Sequence, residues 1–356
     1  MKKSNCSRSD RNWLAVTTLA GACVLASPVQ ALELNVYGVG HLSADSVDDG
    51  IDSDTRIASS SSRLGFRGNH DLGNGMKAVF QLESGLDLTG QGGNDGNGGP
   101  AGETSHVFTA ARDSYAGVAG GFGMVIAGKL GGLNQWLYDY NLFGDQVGDL
   151  GNVWGASGLP GRVTNAVHYR TPDLGGLSVG LSYVPDENPA TSADASIVKA
   201  DYATGALKVG GAYAKIGTPS NDWTVTAVTA SYDLGQFTVG GGLQNESDIG
   251  GVSGADRSSY TLGASMKVGA NGTLKAQYAI SNFDADNMDS TQLAVGYDHV
   301  LNPYTTVYVA YAKVDNDDLA AVTANNWGHG DAVSPAVGKD PSALSVGLAI
   351  KFDAGL

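Results

Sequence analysis

Six histidines, His41, His70, His106, His168, His299 and His329, are scattered along 356 residues, and none stands beside a nucleophile in hydrolase-like spacing. Both cysteines, Cys6 and Cys23, fall in the first 31 residues, so the rest of the chain can build neither a disulfide framework nor a thiolate metal site. No catalytic residue, cofactor or metal site is expected. What remains is charge. Arg63, Arg112, Lys129 and Arg162 stand in short segments of alternating polarity, and a glycine-rich stretch, Gly131–Gly161, carries Asp139, Asp145 and Asp149 among Trp136, Tyr138, Tyr140, Phe143 and Trp154. Those aromatics suit a stretch packed on an inner wall better than one left in solvent. Cations and carboxylates facing each other in confined water orient dipoles and sort ions.

The elements that would position these charges are strands. In Leu177-Ser-Val-Gly-Leu-Ser-Tyr183 every odd position is apolar, and Leu274-Lys-Ala-Gln-Tyr-Ala-Ile280 and Leu344-Ser-Val-Gly-Leu-Ala-Ile-Lys-Phe352 alternate in the same way. Side chains two apart share one face of a strand, so each segment has one apolar face and one small or polar face. Turn signals of two alternating lengths separate the segments. Asp71–Gly75, Gly120–Gly123, Pro172–Gly176, Thr204-Gly205, Asp233–Gly235, Gly269–Gly272 and Leu301–Pro303 are short. Ala44–Asp54, Thr89–Ser105, Gly131–Gly161, Pro185–Ala195, Gly217–Asp222, Glu246–Asp256, Asp284–Asp289 and Asn316–Pro341 are long. That rhythm, with about 16 strands at about 20 residues per strand and its connection, is that of a bacterial outer-membrane barrel with tight periplasmic turns and longer external loops. The expected fold is all-β, a transmembrane antiparallel up-and-down barrel. A soluble sandwich or β-helix would need polar outer faces, whereas here the aliphatics and tyrosines lie opposite the Lys, Arg, Asp, Ser and Gly positions.

Residues 1–31 read as a signal peptide: a basic start with Lys2, Lys3, Arg8 and Arg11, an apolar stretch from Trp13 to Ala26, and the small-residue site Val29-Gln30-Ala31. Its apolar stretch is too short to span a membrane as a helix, which takes about 20 residues. A lipoprotein reading rests on Leu19-Ala20-Gly21-Ala22-Cys23, where the leucine stands one place too far from the cysteine. Without the leader the balance is 17 basic against 35 acidic residues, or −18, which excludes nucleic acid as a partner.

Ser62-Arg-Leu-Gly-Phe-Arg-Gly68 followed by Asp71-Leu-Gly-Asn-Gly-Met-Lys-Ala-Val-Phe-Gln-Leu-Glu83 resembles the second and third strands of Gram-negative general porins. Asn35-Val-Tyr-Gly38 is similar to their first strand, Arg112-Asp-Ser-Tyr-Ala-Gly117 to an Arg-x-x-aromatic-x-Gly strand, and Gly161-Arg162 through Pro172 to the strand after the constriction loop. The likeness is dense over residues 32–185 and thinner beyond. It implies a homotrimer of 16-stranded barrels set in outer-membrane lipid and lipopolysaccharide, passing small hydrophilic solutes and ions. Two departures stand out. Phe352 fits the family's terminal aromatic, but Asp353-Ala-Gly-Leu356 follows, and Val39-Gly40-His41 follows Tyr37-Gly38 where the family often has a basic residue.

Strand parity and the resemblance agree in placing Arg63, Arg112 and Arg162 in the basic half of a constriction. Parity is read from Leu64 and Phe66, Tyr115, Met124 and Ile126, and Val163, Val167 and Tyr169 as outward residues; it adds Lys129, Arg67, His168 and Arg170 to the lumen and turns Asp113 outward, toward a subunit interface. The resemblance folds the third loop, Gly131–Gly161, into the barrel, with Asp145 and Asp149 as the acidic half. Such a pore is expected to show mild cation preference from its acidic external loops. The alternatives are a substrate-selective porin for sugars or anions, with Trp136, Tyr138 and Tyr140 as a slide for sugars, a structural or adhesive barrel, and an outer-membrane enzyme.

Overall fold

The computed structural model describes residues 32–90, 108–132, 134–187 and 193–355, so the leader Met1–Ala31 and most of the connection Thr89–Ser105 lie outside the described residues. The strands are β1 (Glu33–Asp48), β2 (Ser53–Ser59), β3 (Arg63–Gly73), β4 (Met76–Leu86), β5 (Phe108–Ala111), β6 (Ser114–Gly120), β7 (Gly123–Gly131), β8 (Arg162–Arg170) and β9 (Leu177–Val184). They continue with β10 (Ala195–Thr204), β11 (Leu207–Ile216), β12 (Trp223–Asp233), β13 (Phe237–Ser247), β14 (Arg257–Val268), β15 (Gly272–Phe283), β16 (Ser290–Asn302), β17 (Thr305–Asn316) and β18 (Ser342–Gly355). Each pairs antiparallel with its neighbours, and β1 pairs β18 from Asn35↔Gly355 to Asp48↔Ser342, which closes the ring. β2 and β3 lie end to end against β1, and β5 and β6 lie end to end against β4. The 18 segments therefore make 16 staves of a closed barrel, an even number.

Alternation does what the sequence pattern requires. Leu181, Val198 and Tyr213 are exposed and lie in register on three adjacent staves, as do Val228, Leu243 and Tyr260. This apolar outer surface is the one that lipid must solvate, since a closed ring leaves no backbone edge unpaired. The intervening positions, such as Gln244, Gln277 and Gln292, are buried inside.

The core lies in the lumen. The third loop, residues 132–161, contains a 3-10 turn (Gln135–Tyr140) and a single-turn helix α1 (Gly151–Trp154). Trp136, Leu137, Leu150, Val153 and Trp154 pack against Ala214, Val225 and Ala227 of the wall. The third loop is folded inward, as expected from the resemblance.

Other connections depart from expectation. Ala44–Asp54 is not a long loop, because β1 continues to Asp48 and β2 starts at Ser53, leaving Asp49–Asp52 as a tight tip with the Asp49 N–H donating to the Asp52 carbonyl. The connection 317–341 is long but does not stand outside: Ala324 and His329 are buried, and Asn325 is 2% exposed. Phe352 is not terminal, since Asp353, Ala354 and Gly355 extend β18 against Tyr37, Val36 and Asn35. Asp353 accepts from Asn35 Nδ2 at 3.1 Å and pairs with Arg67, which also lies over the Tyr37 ring.

Parity is reversed in β6 and β7 and at Val163 of β8, which packs against the third-loop cluster inside the lumen. Gln81 pairs with Tyr115 and Gly117 with Ile126, so Tyr115 and Ile126 face inward with Met124. Val118 and Val125 face out. The inner wall here is apolar where the alternation rule put charge. Arg112 still reaches the lumen because Arg112 and Asp113 form the break between β5 and β6. Lys129 lines the lumen cavity beside a register shift between Gly128 and Leu130, where Gly128 has φ 151°.

Candidate functional site

Three buried glutamines on the inner wall seat the third loop. Gln244 on β13 accepts the Trp136 indole N–H at 2.6 Å and donates to the Trp154 carbonyl at 3.0 Å. Gln277 on β15 accepts the Leu142 N–H at 3.2 Å and donates to the Tyr140 carbonyl at 3.2 Å. Gln292 on β16 donates to the carbonyls of Gly148 at 2.9 Å and Asp149 at 3.2 Å. A side-chain amide both donates and accepts, so it satisfies irregular backbone that a hydrocarbon wall would strand. The aromatics need small residues opposite: a Cβ at Gly240 would stand 2.6 Å from Tyr140, at Gly242 2.9 Å from Trp154 and at Gly296 2.9 Å from Phe143.

With the loop on that wall, a cavity of about 860 Å³ remains against the opposite one. Its lining includes Arg63, Arg112, Lys129 and Arg162 from the wall and Asp145 and Tyr138 from the loop. Five of the six residues expected at a constriction thus share one cavity. Asp145 Oδ2 lies 3.9 Å from an Arg63 terminal nitrogen. Arg63 also donates to the Ser61 carbonyl at 2.9 Å, which points the guanidinium along the wall.

Asp149, the sixth, is a correction. It is 1% exposed and lies inside the loop, where its carboxylate accepts from Asn141 Nδ2 and from the N–H groups of Asp145 and Gly151, each at 2.8 Å. Burial pushes its carboxyl up to about 7, against the pull of these donors. It shapes the turn that presents Asp145, whose φ of 63° is a left-handed conformation that aspartate tolerates better than most residues.

The cationic side chains have partners of their own. Arg112 Nε donates to Glu83 Oε1 at 2.5 Å, both side chains 8% exposed, and the Tyr37 hydroxyl donates to Glu83 Oε2 at 2.8 Å. Arg162 Nε donates to Asp113 Oδ1 at 2.8 Å. Asp113 therefore turns toward the lumen and not toward a subunit interface, because the β5–β6 break frees it from strand alternation. Asp139 lies lower on the loop, held by Lys199 at 2.8 Å and the Thr229 hydroxyl at 2.9 Å; burial raises its carboxyl.

The last connection completes the site, and sequence reasoning missed it. Asn152 Oδ1 accepts the N–H groups of Asn326 at 3.1 Å and Trp327 at 2.8 Å, and the Gly148 N–H donates to the Ala324 carbonyl at 2.8 Å. On the other side, the Ser61 hydroxyl donates to the Gly328 carbonyl at 3.0 Å and Ser60 Oγ accepts the Gly330 N–H at 3.2 Å. Ser60-Ser61-Ser62 is the break between β2 and β3 and, with Ser59 at the end of β2, forms the cradle for this connection; all four are buried. Four consecutive serines amid alternating apolar residues were the available signal. Among the described residues no group of His, Cys, Asp and Glu could hold a metal ion.

The architecture has counterparts. The chain is 31% identical over 329 residues to outer membrane porin protein 32 of Delftia acidovorans, covering 87% of this chain and 90% of that one. Its fold matches an anion-selective porin from Comamonas acidovorans with a TM-score of 0.74 at 28% identity, over 90% of this chain and all of that one. An in-vitro folded trimer form of OmpT, an outer-membrane protein of Vibrio cholerae, shares the fold at 18% identity with a TM-score of 0.66, over 91% of this chain and all of that one. Residues 15–319 match the family model for Gram-negative porins. A closed lipid-facing barrel, an inward third loop and these relatives make one case: the chain belongs to the Gram-negative porin family of the bacterial outer membrane.

Proposed function

We propose that this porin passes small hydrophilic solutes through a narrow point formed by Arg63, Arg112, Lys129 and Arg162 against Asp145, and that this point favours anions. The observation that carries the reading is the convergence of four cationic side chains and one carboxylate on the same cavity. Glu83 and Asp113 offset part of the charge of Arg112 and Arg162 from behind, while no ion pair is recorded for Lys129 among the described residues. An anion crossing here exchanges ordered water for guanidinium and ammonium contacts, and an apolar solute loses that water without return. The acidic tips, Asp48, Asp49, Asp52 and Asp54 among them, attract cations to the mouth, but within a Debye length of about 8–10 Å only. The mild cation preference expected from sequence gives way to anion preference because the narrowest region weighs most.

The finer reading includes a homotrimer in outer-membrane lipid and lipopolysaccharide, with residues 1–31 removed on export. The exposed apolar staves and the porin relatives support it. Membership of the porin family supports reading the chain as a channel. Reversal potential across a planar bilayer under a salt gradient tests the selectivity: a positive bias of the narrow point requires anions to carry most of the current, and a cation-selective potential at high salt overturns the assignment.

A further inference from the structure

We propose that the lumen holds a second solute site beneath the third loop, built to take small zwitterions of the amino-acid type. A cavity of about 660 Å³ runs from Asp139 on the third loop to the turn at Asp173 and Gly176, a volume in the range of small-molecule sites. It shares no lining residue with the cavity at Arg63. A smaller hollow of about 180 Å³ under Gln135 adjoins it and shares Arg170, Ser178 and Asp201. Short turns mark the periplasmic end of such a barrel, so an entering solute meets this site after the narrow point.

Both signs of charge are present and incompletely matched. Lys199 Nζ donates to Asp139 Oδ1 at 2.8 Å and also to Asp201 Oδ1. One ammonium thus serves two carboxylates and leaves a negative charge over. The Asp201 side chain stays 43% exposed, with an open face on the cavity. Asp139 reaches this wall because Gly210 is bare: a Cβ there would collide with Asp139 Oδ2 and the Thr229 hydroxyl. On the positive side, Arg170 Nη2 donates to the Ser178 hydroxyl at 3.3 Å. Among the described residues neither Arg170 nor Lys208 has an ion-pair partner, and both line the cavity.

Register sets the order of these groups. Ser178 on β9 and Gly210 on β11 both stand opposite Asp201 on β10. Lys208, on the same face as Gly210, is therefore diagonal to Asp201, at about 7–8 Å. From β8 to β11 the wall runs cation, hydroxyl, carboxylate, cation. Arg170, Lys199 and Lys208 balance Asp139, Asp173 and Asp201, so the site is neutral while its charges stay apart. A simple anion gains from Arg170 or Lys208 but is repelled by the surplus carboxylate, and a simple cation meets the reverse. A solute carrying both signs answers both. Its carboxylate takes the fork of Arg170, and its ammonium takes the open oxygen of Asp201. The narrow point differs, because there four cations face one carboxylate and a lone anion is served best.

The site rests on the channel reading above, and the experiment separates the two. KCl current through the full barrel in a planar bilayer tests the channel, and its reduction by added solute tests the site. L-glutamine is the zwitterion, N-acetyl-L-glutamine the anion and L-glutamine amide the cation of similar shape. The half-blocking concentration should be lowest for L-glutamine, by roughly tenfold against either derivative, the effect of losing one charge-assisted contact. Arg170→Gln should erase the advantage over the amide, and Asp201→Asn the advantage over the N-acetyl derivative. Arg170→Lys keeps the cation and should keep the ranking. Calorimetric binding to the detergent-solubilised barrel gives the same ranking for a variant that does not conduct. Strongest block by the N-acetyl derivative places binding at the narrow point and overturns the proposal. Equal block by all three solutes in the parent overturns it too, as does an equal loss of all three in both Arg170→Gln and Asp201→Asn. A parent without current overturns the channel reading instead, and calorimetry then decides the site alone.

Discussion

Arg257 and Glu246 face each other on β14 and β13, both wholly buried, and the guanidinium that pairs with the carboxylate also donates to the carbonyls of Val153 at 3.0 Å and Trp154 at 2.6 Å. The ion pair is thereby a clamp on the end of α1, where helix carbonyls lack partners of their own. Arg257→Leu strips the clamp and leaves Glu246 buried and unpaired, at a cost of about 3–5 kcal/mol. The expected outcome is a lower unfolding temperature and fast conductance flicker from a loosened third loop. Flicker should persist in an Arg257→Leu, Glu246→Leu double variant that regains stability, which separates clamping from simple stability. A quiet channel in both variants would show that the glutamines hold the loop unaided.

Arg63→Ser with Arg112→Ser removes bulk and two positive charges from the cavity. One unit charge at 4 Å in a water-like medium acts on a passing ion with about 1 kcal/mol, a factor of roughly five in permeability ratio. Conductance should increase and selectivity should move toward cations by about that factor or more. Measuring reversal potential and conductance in one bilayer series checks both signs together.

Asp145→Asn and Asp149→Asn should part company. The first removes the cavity's carboxylate and shifts selectivity toward anions by a similar factor of roughly five. The second turns an acceptor of the Asp145 N–H into a group that can present a donor there, so the turn loosens and noise grows with little added change in ion preference. Equal shifts in reversal potential from both would place Asp149 in the field of the pore after all.

Chemical cross-linking in mild detergent should trap a trimer that heating dissociates. A monodisperse monomer under the same treatment removes the trimer from the proposed function.

The barrel itself was legible because a period of two is a property of local sequence, and connections such as Gly217–Asp222 and Asp284–Asp289 fall where turn residues cluster. The lumen was less so. Parity failed at Tyr115 and Ile126 because this stretch of wall packs apolar residues inside, as the Ile126, Leu130 and Ala166 cluster does. Arg112 and Lys129 line the cavity although the parity used to place them is reversed, and they stand at a strand break and a register shift that alternation does not reveal. Asp145 and Asp149 stand four residues apart in one glycine-rich stretch, and only the fold of the turn separates the lining residue from the scaffold. The inward course of 317–341 depends on partners such as Ser60 and Asn152, more than 170 residues away in sequence, beyond the reach of any local pattern.

The seam between β1 and β18 joins residues about 300 positions apart, and the contacts of His41 with Tyr308 and of Asp45 with His329 lie just inside it. Contacts of such span carry the largest loop-closure entropy and form late. The β1 side of the last lumen element therefore has no support until the chain has become a ring. While the seam is open, 317–341 has no β1 surface to rest on; once it shuts, the surface and the connection are brought together at the same time. Closing the seam thus completes the ring and one wall of its narrow point in the same step.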